Sequence, residues 1–536
     1  MTARSSTPKR RRSTCSRCST AEQPLKRSAH CSRIGRVEWF TEILPTLLAA
    51  PDGEWAREIL QRGVAALYLV AFLSTLNQFR PLLGERGLLP APELLEAGRQ
   101  RGPTLFRRWG YSDRRLVVLA VVGMAVSALL VAGIPQTGPP WLPLALFLGL
   151  YGMYLSVVNI GQVFYGFGWE MLLLEAGFTV GLLGSQQVPP PAPVLILLVW
   201  LVFRLEFGAG MIKMRGGPEW RDLTALDYHH ETQPMPNPLS RQAHLKPPWW
   251  HRCEVVGNHV AQLGMPFLLF LPQPVASIGA GAIMLTQLWL VATGNFAWLN
   301  WATIVLAAAA LGDSVLHRLI PVLPADLGAD AVLGPGMANG GAAAGIPVYW
   351  TVIVLAGSVT LIVASVPALR NLFSRRQLMN ASFNRWQLGN AYGAFGTVTR
   401  QRTEIIIEAT EAGSEDRPPE DEAAWRSYEF KGKPGDVRRR PRQWAPYHLR
   451  LDWLMWFLPL SGVHQRWFHT LLARLLVADS AVLGLLRQDP CAGRPPRFIR
   501  VRSFRYRFAT RAELRETGHY WMRDDGRIVI GPVAAR

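Results

Sequence analysis

Charged residues are scarce in this chain of 536 residues, in which Asp, Glu, Lys and Arg make up only 18% of the sequence. Soluble globular domains usually contain about 25% of these residues. Hydrophobic residues account for 49%, and the chain has 20 tryptophans, a residue type that favours membrane–water interfaces. This composition argues against a large soluble enzyme and favours a multi-pass membrane protein.

Cysteine is also rare, and the five cysteines are too few for a disulfide-dense scaffold. Near the N-terminus, Cys15, Cys18, His30 and Cys31 have a spacing that could hold zinc. The segment is rich in Ser and Arg and lacks the apolar residues needed to fold around a metal. We therefore interpret residues 1–36 as a disordered basic tail and predict no metal site.

Several catalytic motifs are missing. The sequence has no GxSxG nucleophile elbow, no phosphate-binding GxxxxGK[ST] loop, no HExxH and no CxxC within a region expected to fold. Lipid hydrolysis, nucleotide hydrolysis and thiol exchange therefore lack their usual signatures. No cofactor is predicted.

The net charge of +19 is unevenly distributed, with about +9 in residues 1–36, −2 in residues 37–369 and +12 in residues 370–536. A basic segment could bind either nucleic acid or anionic lipid headgroups. Because these basic ends flank an apolar middle, we expect a lipid bilayer as the partner and no nucleic acid.

Nine apolar runs divide residues 37–369, which we interpret as a helical transmembrane domain. They cover residues 63–79, 116–134, 141–158, 171–183, 194–212, 255–271, 275–291, 296–311 and 346–369. A spanning helix needs about 20 residues, so we expect eight or nine transmembrane or re-entrant helices. The orientation stays open, because the basic tail and the Arg-rich first loop would both favour the inner side of the membrane.

Residues 370–536 predict a β-rich domain outside the membrane. Residues 404–408 and 426–431 read as short strands, and residues 498–508 alternate with a slip at Ser503 that indicates a β-bulge. Asp525-Gly526 predicts a hairpin turn. An amphipathic helical segment at residues 451–486 is compatible with the membrane surface or with the core of this domain.

Ionisable residues inside apolar runs are the first candidates for function, because a charge in a bilayer is costly and usually faces a protein interior. Glu170 and Glu175 precede Arg204, Glu206 and Lys213. We expect Glu175 to pair with Arg204 across helices. These residues could all be structural ties, or they could line a reaction site.

A polar segment, the loop 213–251, separates two apolar runs and has several prolines, which predict a mostly non-helical chain. Its histidines and carboxylates, with those just beyond it, suggest a metal site only weakly; they are His229, His230, Glu231, His244, His251, Glu254 and His259. We expect these groups to hydrogen-bond to backbone left open by irregular chain. We also predict that the loop packs against the C-terminal domain.

One long ordered motif runs through this segment. It is formed by Arg204-x-x-Phe-Gly-x-Gly, Lys213, Trp220-Arg221-Asp222-Leu223, Tyr228-His229, Glu231-Thr232-Gln233-Pro234 and Pro236-Asn237-Pro238. With GWEMLLLEAGF, YEFKGKPGDVRRRP and APYHLRLDWLMWF, it resembles the lipase maturation factor family over roughly residues 60–510. The matched polar positions are Arg204, Trp220, Arg221, Asp222, Tyr228, His229, Glu231, Gln233, Pro234 and Asn237.

The resemblance implies a membrane-bound maturation factor, without chemistry of its own, that assists the folding or assembly of secreted lipases. It would lie in the endoplasmic reticulum membrane of a eukaryote or the plasma membrane of a bacterium. We expect its client to contact the C-terminal domain, at candidates Tyr447, Trp453, Trp456, Phe504 and Tyr506.

The alternative is a membrane enzyme, because the helical part is also similar to that of vitamin K-dependent carboxylases. In that case Lys213 would act as a base, with Glu170, Glu175 and His229 around a shared polar cavity.

Overall fold

The computed structural model describes residues 47–320, 346–414 and 417–534. The predicted basic tail 1–36 and its zinc-like spacing lie outside these residues. The helical region begins with seven helices, whose bounds are α1 (Glu54–Leu83), α2 (Ala91–Glu96), α3 (Leu105–Trp109), α4 (Asp113–Ala132), α5 (Trp141–Ile160), α6 (Gly168–Gly181) and α7 (Ala192–Arg215).

Short helices follow in the polar segment and in the apolar run behind it. They are α8 (Pro218–Arg221), α9 (Leu226–Thr232), α10 (Ser240–His244), α11 (Pro248–His259) and α12 (Met265–Leu268), with a π-helical turn at Val260–Gly264 between the last two. The region closes with α13 (Val275–Thr293), α14 (Leu299–Ala307), α15 (Asp313–Leu319) and α16 (Val348–Phe373).

Six of the described helices, α1, α4, α5, α7, α13 and α16, are long and apolar enough to cross a membrane. The bent pair Leu299–Ala310 and Asp313–Leu319, at 113° to each other, makes a seventh if it is one span. The predicted helical membrane region is therefore confirmed. The number of candidate spans is lower than the number of apolar runs, because the run at 171–183 forms a 14-residue helix and the run at 255–271 is broken by the π-helical turn.

The described part of the C-terminal region contains an antiparallel five-stranded sheet and four α-helices. The strands are β1 (Arg402–Thr410), β2 (Arg426–Ser427), β3 (Phe498–Phe508), β4 (Trp521–Arg523) and β5 (Arg527–Ala534). The order is β2-β1-β3-β4, with β5 also paired to β3. The helices are α17 (Arg450–Ser461), α18 (Arg466–Leu476), α19 (Ser480–Leu483) and α20 (Arg511–Thr517).

The predicted bulge at Ser503 is wrong for the β1–β3 ladder, which pairs Ile405 with Ser503 in a continuous register. The apolar residues of β3 change from odd to even positions for another reason. Ile499 and Val501 belong to the main core, whereas Phe504 belongs to a second core that covers the other face of the sheet. The register shifts lie instead between β3 and β5, from Ile499 to Arg502.

The turn predicted at Asp525-Gly526 is present, with a φ of +72° at Gly526, a value that glycine tolerates readily. The two strands around it do not pair with each other as a hairpin. Instead β4 pairs with residues 506–508 of β3, and β5 pairs with residues 498–503 on the same edge.

The main hydrophobic core is shared by the two regions. Tyr68 of α1 and Leu172 of α6 belong to the same buried cluster as Trp453 of α17, Leu471 of α18 and Ile407 of β1. The helices of the amphipathic segment 451–486 therefore contribute side chains to this core. Because the cluster is continuous, the sheet is joined to the membrane helices through α17 and α18, which pack against β1 and β3.

Candidate functional site

The polar segment folds into short helices rather than the mostly irregular chain that the prolines suggest. Helix α8 has four residues and starts with Pro218, and α9 has seven residues. Proline fits the first turn of a helix because the N–H that it lacks would have no partner there. Helices this short do not show a 3.6-residue pattern in the sequence.

Side chains of the motif bind the backbone at the point where the chain leaves α13. Gln233 donates from Nε2 to the carbonyl oxygen of Thr293 at 2.8 Å, and the Ser240 hydroxyl donates to the same oxygen at 2.7 Å. The Asn237 Oδ1 accepts from the backbone N–H of Leu239 at 3.0 Å. These contacts show the backbone-satisfying role predicted for the segment.

Arg402 of β1 attaches the motif to the sheet. Its Nη1 donates to the carbonyl oxygens of Glu231 at 2.7 Å and Gln233 at 2.5 Å, and Nη2 donates to that of Pro234 at 3.2 Å. Glu404 lies 2.6 Å from Arg402 Nη2. The loop therefore packs against the C-terminal region, as predicted, through an arginine that sequence reasoning missed.

Further contacts strengthen this attachment. The Glu231 carboxylate accepts from the backbone N–H of Phe508 at 2.8 Å, and Asn237 Nδ2 donates to Gln443 Oε1 at 3.0 Å. The Trp456 indole donates to the carbonyl oxygen of Thr232 at 2.9 Å.

The two glutamates of α6 each have a separate arginine partner. Glu170 accepts from Arg450 Nη1 at 2.6 Å, and both side chains are fully buried. The Arg450 guanidinium also lies 3.4 Å from the centroid of the Tyr165 ring. Arg450 comes from the C-terminal region, so this ion pair joins the two regions; it was not found from the sequence.

Glu175 pairs with Arg204 of α7, as predicted from the sequence. The other oxygen of Glu175, Oε2, accepts from the backbone N–H of Asn390 at 3.1 Å and from the Tyr392 hydroxyl at 2.8 Å. Both side chains of the pair are 2% exposed. Such a buried pair is stable only when its remaining donors and acceptors are used.

A cavity of about 1090 Å³ lies where the membrane helices, the polar segment and α17 meet. Lys213 lines it and donates to Asn258 Oδ1 at 2.8 Å and Gln262 Oε1 at 3.0 Å. Its ammonium lies 4.3 Å from the centroid of the Trp220 ring. Glu206, which also lines the cavity, accepts from Gln287 Nε2 at 2.5 Å.

The four residues considered for catalysis do not share this cavity. Lys213 and His229 line it, whereas Glu170 and Glu175 are absent from its walls and bind their arginines elsewhere. Burial, reinforced by His230 and Lys213, lowers the pKa of His229 to about 3. The arrangement of four cooperating groups that the enzyme alternative requires is therefore not present.

Two histidines of the polar segment each lie beside a single carboxylate. His251 Nδ1 lies 2.8 Å from Asp227 Oδ1, and His244 Nε2 lies 3.3 Å from Glu231 Oε2. Burial lowers the pKa of His244 to about 4 and raises that of Glu231. Within the described ranges, no group of three or more His, Cys, Asp or Glu side chains is arranged to hold a metal ion.

The remaining motif positions have modest contacts. Arg221 is exposed and donates to the carbonyl oxygen of Met214 at 3.3 Å, and Asp222 is exposed at the end of α8. The Tyr228 ring lies 5.8 Å from the Arg400 guanidinium.

The proposed client-contact side chains divide into two groups. Trp453, Phe504 and Tyr506 are 2–3% exposed and belong to the cores. Tyr447 and Trp456 are partly exposed, and Trp456 lines the cavity with Phe457.

The mouth of the cavity is rich in exposed apolar side chains that sequence reasoning did not select. Trp249 of α11 is 62% exposed, Leu285 of α13 is 70% exposed and Leu460 of α17 is 53% exposed. Three tryptophans and one leucine form a group that we call the aromatic mouth; they are Trp249, Trp250, Trp456 and Leu460.

Comparison with known families covers most of the chain. Residues 55–318 match the lipase maturation factor transmembrane domain, and residues 388–530 match the lipase maturation factor C-terminal domain. Among curated proteins, the chain is 39% identical over 498 residues to Lipase maturation factor 1 of Homo sapiens, covering 87% of this chain and 86% of that protein.

Two further relatives also match over more than four fifths of each chain. Lipase maturation factor 1 of Bos taurus is 37% identical over 521 residues, with 89% of each chain covered. Lipase maturation factor 2 of Xenopus laevis is 28% identical over 589 residues, covering 87% of this chain and 81% of that protein. No solved structure matches the chain.

Proposed function

The chain belongs to the lipase maturation factor family, and from this we propose that it assists the folding or assembly of a secreted lipase at a membrane. The family name and the candidate spans support a multi-pass membrane protein with a maturation role. We propose the endoplasmic reticulum membrane as its location in a eukaryote and the plasma membrane in a bacterium.

The observation that carries the proposal is the attachment of the C-terminal region to the membrane helices. The buried Glu170–Arg450 pair and the Arg402 contacts hold the sheet and α17 against the membrane helices. A chaperone-like factor needs a surface that keeps its shape while the client protein changes conformation. The rigid attachment supplies such a surface beside the membrane.

We place client docking at the aromatic mouth. Trp249 and Leu460 expose apolar surface there, and exposed apolar surface marks sites of contact with another protein or with a membrane. An immature lipase exposes apolar segments that it later buries or covers on assembly, and these segments fit this surface. Of the earlier candidates, Trp456 and Tyr447 stay available for contact, whereas Trp453, Phe504 and Tyr506 support the fold.

The test uses cells that lack their own lipase maturation factor and express a secreted lipase together with this chain. We expect the wild-type chain to raise the lipase activity secreted per unit of lipase protein. The variant Leu460→Asp should lower that value while the amount of the membrane protein is unchanged, because a carboxylate at the mouth opposes apolar docking.

The matched control is Val477→Asp, since Val477 is 59% exposed and does not line the cavity. This variant should give the same secreted lipase activity per unit of lipase protein as the wild-type chain. If the wild-type chain leaves lipase activity unchanged, the lipase client is wrong. If wild type acts and Leu460→Asp acts equally well, the docking position is wrong.

A further inference from the structure

A second pocket lies in the C-terminal region and shares no lining residue with the cavity of the aromatic mouth. It has a volume of about 260 Å³ and lies mainly against the segment 431–444. This segment overlaps the YEFKGKPGDVRRRP motif, to which the maturation role assigns nothing. Pro236 of the polar segment and Trp521 of β4 close the pocket from other parts of the chain.

The pocket wall carries charge of one sign. Six of its described lining residues are cations and none is a carboxylate; the cations are Lys431, Lys433, Arg439, Arg440, Arg442 and Arg487. Gathering like charges around a concave surface raises the electrostatic energy of the folded chain unless a counter-charge is present.

Only one of the six cations is neutralised by an ion pair within the described parts of the chain. Lys433 lies 2.6 Å from Glu404 Oε2. Arg439 donates to the carbonyl oxygen of Phe430 at 2.8 Å, and Lys431 donates to that of Gly484 at 2.8 Å. Carbonyl oxygens fix the position of a cation without removing its charge.

The carboxylates that act electrostatically on Arg439 also hold backbone N–H groups; they are Glu429, Asp452 and Asp436. Asp452 Oδ1 accepts from the N–H of Gly432 at 2.6 Å, and Glu429 Oε2 accepts from the N–H of Asp436 at 3.1 Å. Neither Asp452 nor Glu429 lines the pocket. The exposed guanidinium groups of Arg442 and Arg487 have no ion pair in the described structure.

Two tryptophans of the pocket wall supply a second, independent observation. The indole N–H groups of Trp444 and Trp521 are buried and have no hydrogen-bond partner among the described atoms, and Trp521 is 0% exposed. The indole nitrogen can only donate, and a buried donor without an acceptor costs free energy. An acceptor oxygen bound in the pocket would satisfy an indole N–H group that faces it.

We propose that this pocket binds a phosphate group, with Arg442 and Arg487 as its main charged contacts. A phosphate offers several acceptor oxygens, and arginine forks match its geometry. The group could belong to a lipid headgroup or to a soluble phosphate compound, and both present the same chemistry to the pocket. The proposal is independent of the client and of the aromatic mouth.

The test uses the full chain purified in detergent and isothermal titration calorimetry. One titration uses inorganic pyrophosphate, and a second uses water-soluble dioctanoyl phosphatidic acid. We expect saturable binding at one site. The double variant Arg442→Ala/Arg487→Ala should bind about tenfold more weakly or worse, because two charge-assisted contacts are lost.

The control Arg511→Ala/Arg515→Ala removes two exposed charges from α20, outside the pocket, and should bind as wild type. Tighter binding of the lipid would assign the site to a headgroup, and equal or tighter binding of pyrophosphate would assign it to a soluble phosphate. Failure of both titrants to bind, or equal weakening by the control pair, would overturn the proposal. If the double variant does not fold, Lys431→Gln should weaken binding in its place, and unchanged affinity would count against the site.

Discussion

Both regions bury ion pairs, such as Glu175–Arg204 in the helical region and Arg402–Glu404 in the C-terminal region, but the charged side chains around the C-terminal pocket differ from these pairs. In the helical region, Glu175 and Arg204 are each 2% exposed and neutralise each other. In the C-terminal region, Arg442 and Arg487 are exposed beside a pocket and form no close ion pair within the described chain. The Glu170–Arg450 pair joins the two patterns, since it is buried but takes one member from each region.

This difference separates charges that hold the fold from charges that are available to a ligand. A buried ion pair gains little net free energy but is costly to break. An exposed cluster costs little to change and acts on partners that come close. Substitutions of buried paired charges should therefore lower stability more than substitutions of exposed charges, and measuring both tests the comparison.

The largest loss should come from Glu170→Gln, because it leaves the Arg450 charge buried without a carboxylate. We expect the free energy of unfolding in detergent to fall by about 3–5 kcal/mol, measured by denaturant titration. The control is Glu93→Gln, whose pair with Arg466 is exposed and should contribute about 0–1 kcal/mol. Equal effects of the two substitutions would show that the pair between the regions is not needed.

The Glu175–Arg204 pair allows a charge exchange within the helical region. Glu175→Arg and Arg204→Glu should each lower the thermal unfolding midpoint strongly, because each places two like charges side by side in the interior. The double variant should recover part of the loss. Recovery would be incomplete, since Asn390 and Tyr392 donate to Glu175 and would face an arginine. Absence of any recovery would argue that the two charges do not interact.

A smaller and pH-dependent effect is expected at His229, whose pKa is lowered by burial to about 3 from an ordinary value of 6.5. The unfolded chain binds a proton there more readily, so stability is full above pH 6.5 and falls as the pH drops towards 3. Thermal unfolding at pH 7 and pH 5 should show this loss in the wild type and a smaller loss in His229→Asn. The same loss in both proteins would mean that other groups set the pH dependence.

The smallest effect should come from Arg442→Ala/Arg487→Ala, which removes exposed charges that lack protein partners. Its unfolding midpoint without ligand should stay close to that of the wild type or rise slightly, because like-charge repulsion is relieved. A large loss of stability, measured by the same thermal unfolding, would place these arginines with the structural charges of the helical region.

The sequence predicts features that depend on local pattern. Apolar runs of spanning length mark α4 and α7, and two ionisable residues within neighbouring apolar runs predict the Glu175–Arg204 pair. The long ordered motif around residues 204–238 is sufficient for the family resemblance. Each of these signals lies within one element or between neighbours along the chain.

Features that depend on distant contacts could not be predicted in the same way. Arg450 is 280 residues from Glu170, and the sequence around either residue does not identify the other as its partner. Arg402 reads as an ordinary strand residue, although it binds three carbonyl oxygens of the polar segment. The phase change in β3 wrongly predicts a bulge, because two cores on opposite faces of a strand produce the same sequence pattern as a bulge.

The central claim is that a client docks at the aromatic mouth beside the membrane, and site-specific photo-crosslinking tests it most directly. A photoreactive residue would replace Leu460 in one chain and Val477 in another, in cells that secrete a lipase. We predict crosslinks to the immature lipase from position 460 and none from position 477. Absence of a lipase crosslink from position 460, or equal crosslinks from both positions, would contradict the account.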